Sequence, residues 1–412
     1  MGCNSNKTGT WGLSIEFHGQ PFLFTPNEVK NMPDISFHLD PKIIIGPETV
    51  NRLGGIASIY GNRVVLVTEQ VLYENKIIDR AIQVLEDSHV ETIVFDEVPS
   101  QATAEVAEQV AELARGGRCG AVIGLGGLKT QAISRLASML KESGAYLFDL
   151  LDGQLPDWNC LPYIAVPTSG RDPFLFADRF IAVDPRDRSV KVVHTPEGLC
   201  VAAIIDSGVS ELLSDKFAAT VAFDGLCVAI ESYCSTKANF LSDAILEQAI
   251  ASYGHILDSF SDNRTFDLVG GASHAGFLAA LGSALSAPGI GTALAYALNG
   301  RFPVAKSWCS TVLLPHIMER MLNSRPEKLA KIAELLGEPV EGVPTAEAAS
   351  LAVDGVRRRM GILSVPARLK DFNLVLDRLV PVAETARSLD FIAFSPRPIT
   401  SEEAYDILKQ AF

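Results

Sequence analysis

The sequence has little positive charge for its length. Its 35 lysines and arginines stand against 49 aspartates and glutamates, which gives a formal net charge of −14 over 412 residues. No basic run offsets this excess, because Arg357, Arg358 and Arg359 form only a short cluster. A chain this acidic is poorly suited to binding nucleic acid or an anionic membrane, and we expect neither as a partner.

Closely spaced cysteine pairs are also missing. None of the seven cysteines forms a C-x-x-C pair, and their number is odd. This pattern argues against a disulfide framework or a zinc knuckle, and it favours a reducing cytoplasm. The first residues, MGCNSN, lack the apolar core of a signal peptide, and Asn6 stands where a myristoylation motif has Ser or Thr. We therefore predict a cytoplasmic protein.

One long stretch, residues 268–300, contains no Asp, Glu, Lys or Arg. It is rich in Ala, Gly and Ser, and SAPGIG interrupts it at 286–291. A membrane-spanning helix needs about 20 continuous, strongly apolar residues, which this stretch does not supply. We predict two buried helices instead, whose small residues let neighbouring backbones approach closely.

What the sequence does contain is a globular composition, with 48% hydrophobic and 20% charged residues. Short apolar segments rich in β-branched residues alternate with amphipathic ones through the first half. This alternation indicates a mostly parallel sheet covered on both faces. The predicted strands are 63–68, 92–98, 119–127, 161–170 and 200–207, with a helix at 102–117 and a hairpin at 176–194.

Helical patterns dominate after about residue 208. The segment 325–339 has Pro near its start and Gly near its end, and 400–412 opens with a Thr400/Glu403 capping box. We therefore predict an α/β nucleotide-binding-like domain over 1–207, with 1–36 as an N-terminal extension. An all-helical domain is predicted over 208–412.

Two loops follow predicted strands and lie where open parallel sheets bind ligands. In GLGGLKTQAIS (124–134), Gly126 and Gly127 would let backbone amides approach a phosphate, although a tight strand-to-helix turn also explains them. The second loop is PTSGRDPF (167–174), in which the Arg171/Asp172 charged pair is expected to face the same crevice.

The order of these segments resembles that of the iron-containing alcohol dehydrogenase family, from about Phe37 to Phe412. A strand ending in VTE, the glycine-rich loop, PTSG and a hairpin come first. IIDSGVSELL, VAFDGLCVAIES, an Ala/Gly-rich segment, LLPHIMERM and SPRPITSEEAYDILKQAF follow. The resemblance implies a dehydroquinate synthase-like fold, with a Rossmann-like N-terminal sheet and an all-α C-terminal domain. It also implies a homo-oligomer, such as a dimer.

The nucleotide loop of that family typically reads GGGSxxDxAK, and here only the first two glycines are present. The positions are occupied by Gly126, Gly127, Leu128 at the third glycine, Lys129 at the serine, Ala132 at the aspartate and Arg135 at the lysine. Thr168 and Ser169 match part of the second cofactor loop. By resemblance, these loops would bind NAD(H). Lys129 and Arg171 would bind an anionic ligand or be solvated loop charges.

Glu69 stands at the end of the first of these strands, where the family often has Asp. A carboxylate there accepts hydrogen bonds from a ribose 2′-hydroxyl, which would favour NAD over NADP. The alternative is an ordinary carboxylate at a helix N-terminus.

The metal site departs further from the family pattern, which uses one Asp and three His. Asp224 matches the Asp, but Val228 stands at the next ligand position. No histidine occurs from 275 to 315, and His255 and His274 are interpreted as structural. Since a divalent site needs about three or four protein ligands, we expect no iron or zinc. The other two ligand positions fall near Thr292 or Ala293 and near Lys306 or Ser307.

Asp224 and Lys306 are therefore the candidate catalytic residues. Lys306 could supply fixed positive charge in place of a cation, or it could form a salt bridge with Asp224 that fills the old cavity. Three functions follow. The first is a metal-independent, NAD(H)-linked oxidoreductase for a small alcohol or carbonyl. The second is a repurposed lyase, isomerase or cyclase. The third is a non-catalytic binding homologue, whose cleft is filled by residues such as Leu128 and Val228.

Overall fold

The structure is a computed structural model that describes residues 14–17, 20–23, 39, 41–100, 102–140, 146–210, 215–261 and 268–412. The chain divides into two units, Met1–His38 and Leu39–Phe412. In the first unit, β1 (Ser14–Phe17) and β2 (Gln20–Leu23) pair antiparallel. The rest of the predicted extension 1–36, including MGCNSN, lies outside the described residues.

The unit Leu39–Phe412 contains a six-stranded sheet in the order β3-β10-β7-β6-β4-β5, with every neighbouring pair parallel. All five predicted strands are present, with shorter bounds, and β3 is an addition that we did not predict. The sheet strands are β3 (Lys42–Gly46), β4 (Arg63–Val67), β5 (Glu91–Phe95), β6 (Ala121–Gly126), β7 (Tyr163–Pro167) and β10 (Cys200–Asp206); the predicted hairpin is β8 (Arg179–Val183) with β9 (Val190–His194).

Helices cover both faces of this sheet, which explains why its strands are apolar at successive positions. Alternate residues of β4 enter two different cores: Val65 packs in the cluster that contains Val110, and Leu66 in the cluster that contains Ile78. The helices of this region are α1 (Leu53–Ala57), α2 (Ile77–Asp87), α3 (Val106–Gly116), α4 (Leu128–Met139) and α5 (Leu147–Leu151), with 3-10 helices at Thr49–Arg52, Gln70–Asn75 and Ser207–Ser210.

The described residues from 215 onward contain helices and no strand, as predicted. The capping box between Thr400 and Glu403 is present, and Gly337 has a φ of +74° just after a helix end. The helices are α6 (Asp215–Cys234), α7 (Phe240–Ser261), α8 (Leu268–Leu285), α9 (Ile290–Arg301), α10 (Lys306–Met321), α11 (Pro326–Leu335), α12 (Thr345–Ile362), α13 (Val380–Ser388) and α14 (Ser401–Gln410), with 3-10 helices at Leu369–Phe372, Leu376–Leu379 and Asp390–Phe394.

The strand-rich part ends with β10 at Asp206, and the helical part begins with α6 at Asp215. Both belong to the unit Leu39–Phe412, so the predicted two-domain division at residue 207 stays a prediction. Within the helical part, α8 and α9 meet at a bend of 110°, which confirms two helices in the charge-free segment. By length and composition, residues 217–234 of α6 match a membrane span, but 83% of that window is buried inside the protein.

Small residues bring the second loop and the helical part together. A Cβ on Gly276 of α8 would lie 2.3 Å from the Cα of Gly170, in the loop after β7. This approach requires glycine at both positions. Arg171, the next residue of the loop, then lies against Asp224 of α6.

Candidate active site

Asp224 lies in the middle of α6 and is completely buried. Its Oδ1 accepts a hydrogen bond from Nζ of Lys306, the first residue of α10. Arg171 places Nη1 3.7 Å from Asp224 Oδ2. We call these three residues the Asp224 cluster. One carboxylate with two cations gives the cluster an excess of positive charge in a buried place, where electrostatic interactions are strong.

The contact between Asp224 and Arg171 leaves two polar atoms without a hydrogen bond. Asp224 Oδ2 and Arg171 Nη1 are both buried and have no hydrogen-bond partner. Arg171 is the member most open to solvent, since its side chain is 13% exposed and those of Asp224 and Lys306 are 0% and 1% exposed. An unpaired donor and an unpaired acceptor this close together form a polar gap that a ligand oxygen or a water could fill.

Three neutral side chains, those of Tyr296, Cys227 and Cys309, lie close enough to the cluster to feel its charges. The Lys306 ammonium lies 4.8 Å from the centroid of the Tyr296 ring. Burial, aided by Asp172 and Asp224, raises the pKa of Tyr296 well above its ordinary value. Burial also raises the pKa values of Cys227 and Cys309, so both keep their protons.

The donor set does not fit a divalent cation. The one carboxylate is already engaged by an ammonium, and Val228, buried one turn further along α6, offers no donor atom. The Thr292 hydroxyl donates a hydrogen bond to Glu231 Oε2 at 2.7 Å. No group of three or more His, Cys, Asp or Glu that could hold a metal occurs in the described part of the chain, and His255 and His274 are exposed.

Glu231 lies two turns after Asp224 on α6 but serves another element. It is 3% exposed and accepts hydrogen bonds from the amides of Gly289, Gly291 and Thr292, at 3.2, 2.6 and 2.9 Å. These groups form the N-terminus of α9, so Glu231 caps that helix. Burial raises the pKa of Glu231, and these hydrogen bonds oppose the rise.

Glu69 reaches the glycine-rich turn between β6 and α4. Its Oε1 accepts hydrogen bonds from the Gly127 amide at 2.8 Å and from Thr130 Oγ1 at 2.6 Å. Gly127 is the N-cap of α4, and a Cβ on Gly126 would lie only 2.7 Å from the Thr130 side chain. These contacts match the alternative interpretation of Glu69 as an ordinary carboxylate at a helix N-terminus. The role of Glu69 at a ribose stays a prediction.

The second loop joins the first through Thr168, whose amide donates to the Gly126 carbonyl at 3.1 Å. Ser169 Oγ accepts a hydrogen bond from Arg171 Nε at 3.3 Å. Arg171 and Asp172 were both expected to face the crevice, and each has its own partner: Arg171 lies against Asp224 of α6. Asp172 forms an ion pair with Arg135 of α4 at 3.2 Å, since that buried guanidinium needs a counter-charge.

A small cleft, open to solvent, lies beside these loops. Thr103, Leu128 and Lys129 line one side, and Tyr296 and Asn299 of α9 line another. Tyr296 therefore belongs to the cleft wall while its ring contacts Lys306. Sequence reasoning did not find Tyr296, although it is the only aromatic residue in the run ALAYALNG.

Lys129 is the charged residue in the described lining of this cleft. It is half-buried, and its Nζ donates to the carbonyl of Ser100. Burial and the positive charges of Arg188 and Arg171 lower the pKa of Lys129 to about 8, although Glu69 opposes the change. Lys129 therefore brings a positive charge to the cleft, with Arg171 and Arg188 close enough to act on it.

A parallel sheet with a glycine-rich turn, followed by a helical part that carries a buried carboxylate beside a cleft, defines the dehydroquinate synthase-like fold. The solved structure of a 1,3-propanediol oxidoreductase has this fold, with a TM-score of 0.85 and 22% identity, over 92% of this chain and 100% of that one. A sulfoacetaldehyde reductase from Bifidobacterium kashiwanohense, solved with NAD+, superposes with a TM-score of 0.79 at 16% identity, over 92% and 99% of the two chains.

The family follows from the sequence itself. The model for iron-containing alcohol dehydrogenase matches residues 40–207, and the model for the C-terminal part of the same family matches residues 218–412. The 1,3-propanediol dehydrogenase of Citrobacter freundii is 25% identical over 392 residues, which cover 92% of this chain and 98% of that protein. The chain belongs to the iron-containing alcohol dehydrogenase family.

Proposed function

We propose that the protein is a metal-independent oxidoreductase that acts on a small alcohol or carbonyl compound in the cleft. One observation carries the proposal. Lys306, which lies near the last metal-ligand position of the family pattern, directs its ammonium to Asp224, the residue that matches the ligand aspartate of that pattern. A fixed, buried cation stabilises the negative charge that develops on a carbonyl oxygen when hydride reaches its carbon.

Arg171 is the proposed contact point for that oxygen. Its Nη1 is buried without a hydrogen-bond partner, and it is the cluster residue nearest to solvent. Lys306 and Asp224 would then set the local field and hold the guanidinium in place. Tyr296, between Lys306 and the cleft, excludes water from the ammonium and strengthens its field.

NAD(H) is the proposed cofactor, and when bound it would supply the hydride. Gly126, Gly127, Lys129, Thr168 and Ser169 lie together at the carboxyl ends of β6 and β7. The positive charge of Lys129 in the cleft lining suits an anionic cofactor. The fit is incomplete, because Glu69 holds the Gly127 amide and the Thr130 hydroxyl that would otherwise face a phosphate.

That incomplete fit favours a second candidate function, a non-redox enzyme or a ligand-binding homologue that uses the same cleft. In this case the Asp224 cluster is a structural ion pair, and the ligand is a small anion near Lys129. For either function we further propose a cytoplasmic homodimer with a small-molecule partner and no nucleic-acid or membrane partner.

The test is steady-state reduction of a panel of small aldehydes and ketones by NADH, with and without EDTA. We expect turnover that EDTA leaves unchanged. Lys306→Met should lower kcat by about 100-fold, the loss typical of one transition-state charge donor. Lys370→Met, at an exposed position, is the control. Activity that EDTA abolishes would refute metal independence, and no NADH oxidation with any compound would favour the second candidate.

A further inference from the structure

Glu69, at the end of β4, contacts the start of α4, and the proposed reaction does not require this contact. It follows β4 in extended conformation, with φ −123° and ψ 136°, and it precedes the 3-10 helix Gln70–Asn75. Its side chain reaches from there to the start of α4. Two donors, the Gly127 amide and the Thr130 hydroxyl, converge on the single oxygen Oε1.

The place that this carboxylate occupies is one that attracts anions. The first turn of an α-helix leaves amide groups without intrahelical partners, and the helix dipole puts partial positive charge there. Glycine-rich turns before such helices bind phosphate for this reason. Gly126 and Gly127 supply the turn, and Lys129, in the first turn of α4, adds a cation that interacts with Glu69.

A carboxylate and a phosphate cannot share these donors. Each hydrogen bond that Glu69 accepts is one that a pyrophosphate must replace, and two anions at this distance repel one another. A ligand that carries its negative charge elsewhere in the cleft would leave Glu69 undisturbed.

We propose that Glu69 is a built-in competitor of the pyrophosphate of a dinucleotide. It keeps the glycine-rich turn closed to phosphate and thereby weakens NAD(H) binding without affecting ligands that have no pyrophosphate. This inference rests on the proposed function for the identity of the cofactor. It adds a residue that determines which cofactor the cleft accepts, and how tightly.

Binding of ADP and of NADH to the full-length protein tests the inference, by calorimetry for ADP and by fluorescence for NADH. We compare wild type with Glu69→Ala, Glu69→Gln and Glu74→Gln, an exposed glutamate of the adjacent 3-10 helix. Both ligands should bind Glu69→Ala about tenfold more tightly than wild type, because charge-assisted contacts no longer compete. The affinities of Glu69→Gln should lie between those of wild type and Glu69→Ala, since its amide oxygen can still accept a hydrogen bond. The affinities of Glu74→Gln should match those of wild type.

The outcomes separate this inference from the proposed function. If both Glu69 variants are folded by circular dichroism and bind ADP and NADH no more tightly than Glu74→Gln, the inference is overturned. Tighter ADP binding without NADH oxidation by any compound supports the inference and removes the hydride-transfer proposal. NADH turnover by wild type, with the affinities for ADP and NADH unchanged in Glu69→Ala, supports the hydride-transfer proposal and overturns the inference.

Discussion

The side chain of Asp224 is fully buried between two cations, and this environment governs what its replacement does. A buried charge that loses its partner is far costlier than a buried pair that is removed together. The Asp224 cluster therefore contributes to folding whatever its catalytic role. Val228, at the next ligand position of the family pattern, is buried and offers no donor atom.

Asp224→Asn should lower the free energy of unfolding by about 3 to 5 kcal/mol, because Lys306 and Arg171 then lack their carboxylate. The double variant Asp224→Asn/Lys306→Met should recover part of that loss. Urea unfolding measures both, with Asp354→Asn, exposed on α12, as the control. A single variant as stable as the control would contradict the burial of the ion pair.

Lys129 should titrate near the pKa of about 8 that burial and the neighbouring arginines give it. The ammonium is present below that pH and is lost as pH rises through it, so an anionic ligand should bind less tightly above pH 8. NMR of the reductively 13C-methylated protein, with Lys129→Arg to assign the resonance, reports the titration. A resonance that still shows no titration by pH 9 would refute the prediction.

At the scale of elements, the two carboxylates of α6 show what a sequence can and cannot reveal. Both lie within 208–412, the part that we predicted to be helical, and both are buried on α6. Their spacing did not show that Asp224 faces Lys306 while Glu231 caps α9, because partners that lie 58 to 82 residues away are set by helix packing.

Glu231→Ala should destabilise the protein by about 3 kcal/mol, because three amides and a hydroxyl at the start of α9 lose their acceptor. Glu231→Gln keeps an acceptor oxygen and should cost less. Burial raises the folded-state pKa, so the folded chain holds the proton to higher pH than the unfolded chain does. Wild-type stability should therefore fall relative to Glu231→Gln as pH rises through that range. Urea titrations at several pH values check this, and equal losses for both variants would contradict the capping role.

Two helical glycines should respond to alanine in opposite ways. Gly276→Ala places a Cβ 2.3 Å from the backbone of Gly170 and should cost about 1 to 3 kcal/mol. Gly361→Ala, where a Cβ meets nothing within 4 Å, should be neutral or stabilise by up to about 1 kcal/mol through helix propensity. Thermal unfolding of the pair gives the comparison. Equal melting temperatures would show that the approach of the second loop to α8 is looser than described.

At the scale of the whole molecule, hydrophobic patterning was enough to predict a parallel sheet followed by helices. Continuous apolar runs and caps such as Thr400/Glu403 act locally, so the sequence displays them. The strand Lys42–Gly46 was not predicted, because its five residues resemble any short apolar run. Glu69 was correctly placed at the end of a strand, and Arg171 in the loop after another. Their partners depend on contacts between distant segments, which no periodicity records.

We propose that the Lys306 ammonium takes the place of a metal ion beside Asp224. Elemental analysis tests it most directly, on protein produced in iron- and zinc-supplemented medium and purified without a chelator. We expect iron and zinc well below one equivalent per chain, in wild type and in Asp224→Asn alike. One equivalent of either metal in wild type, lost in Asp224→Asn, would contradict it.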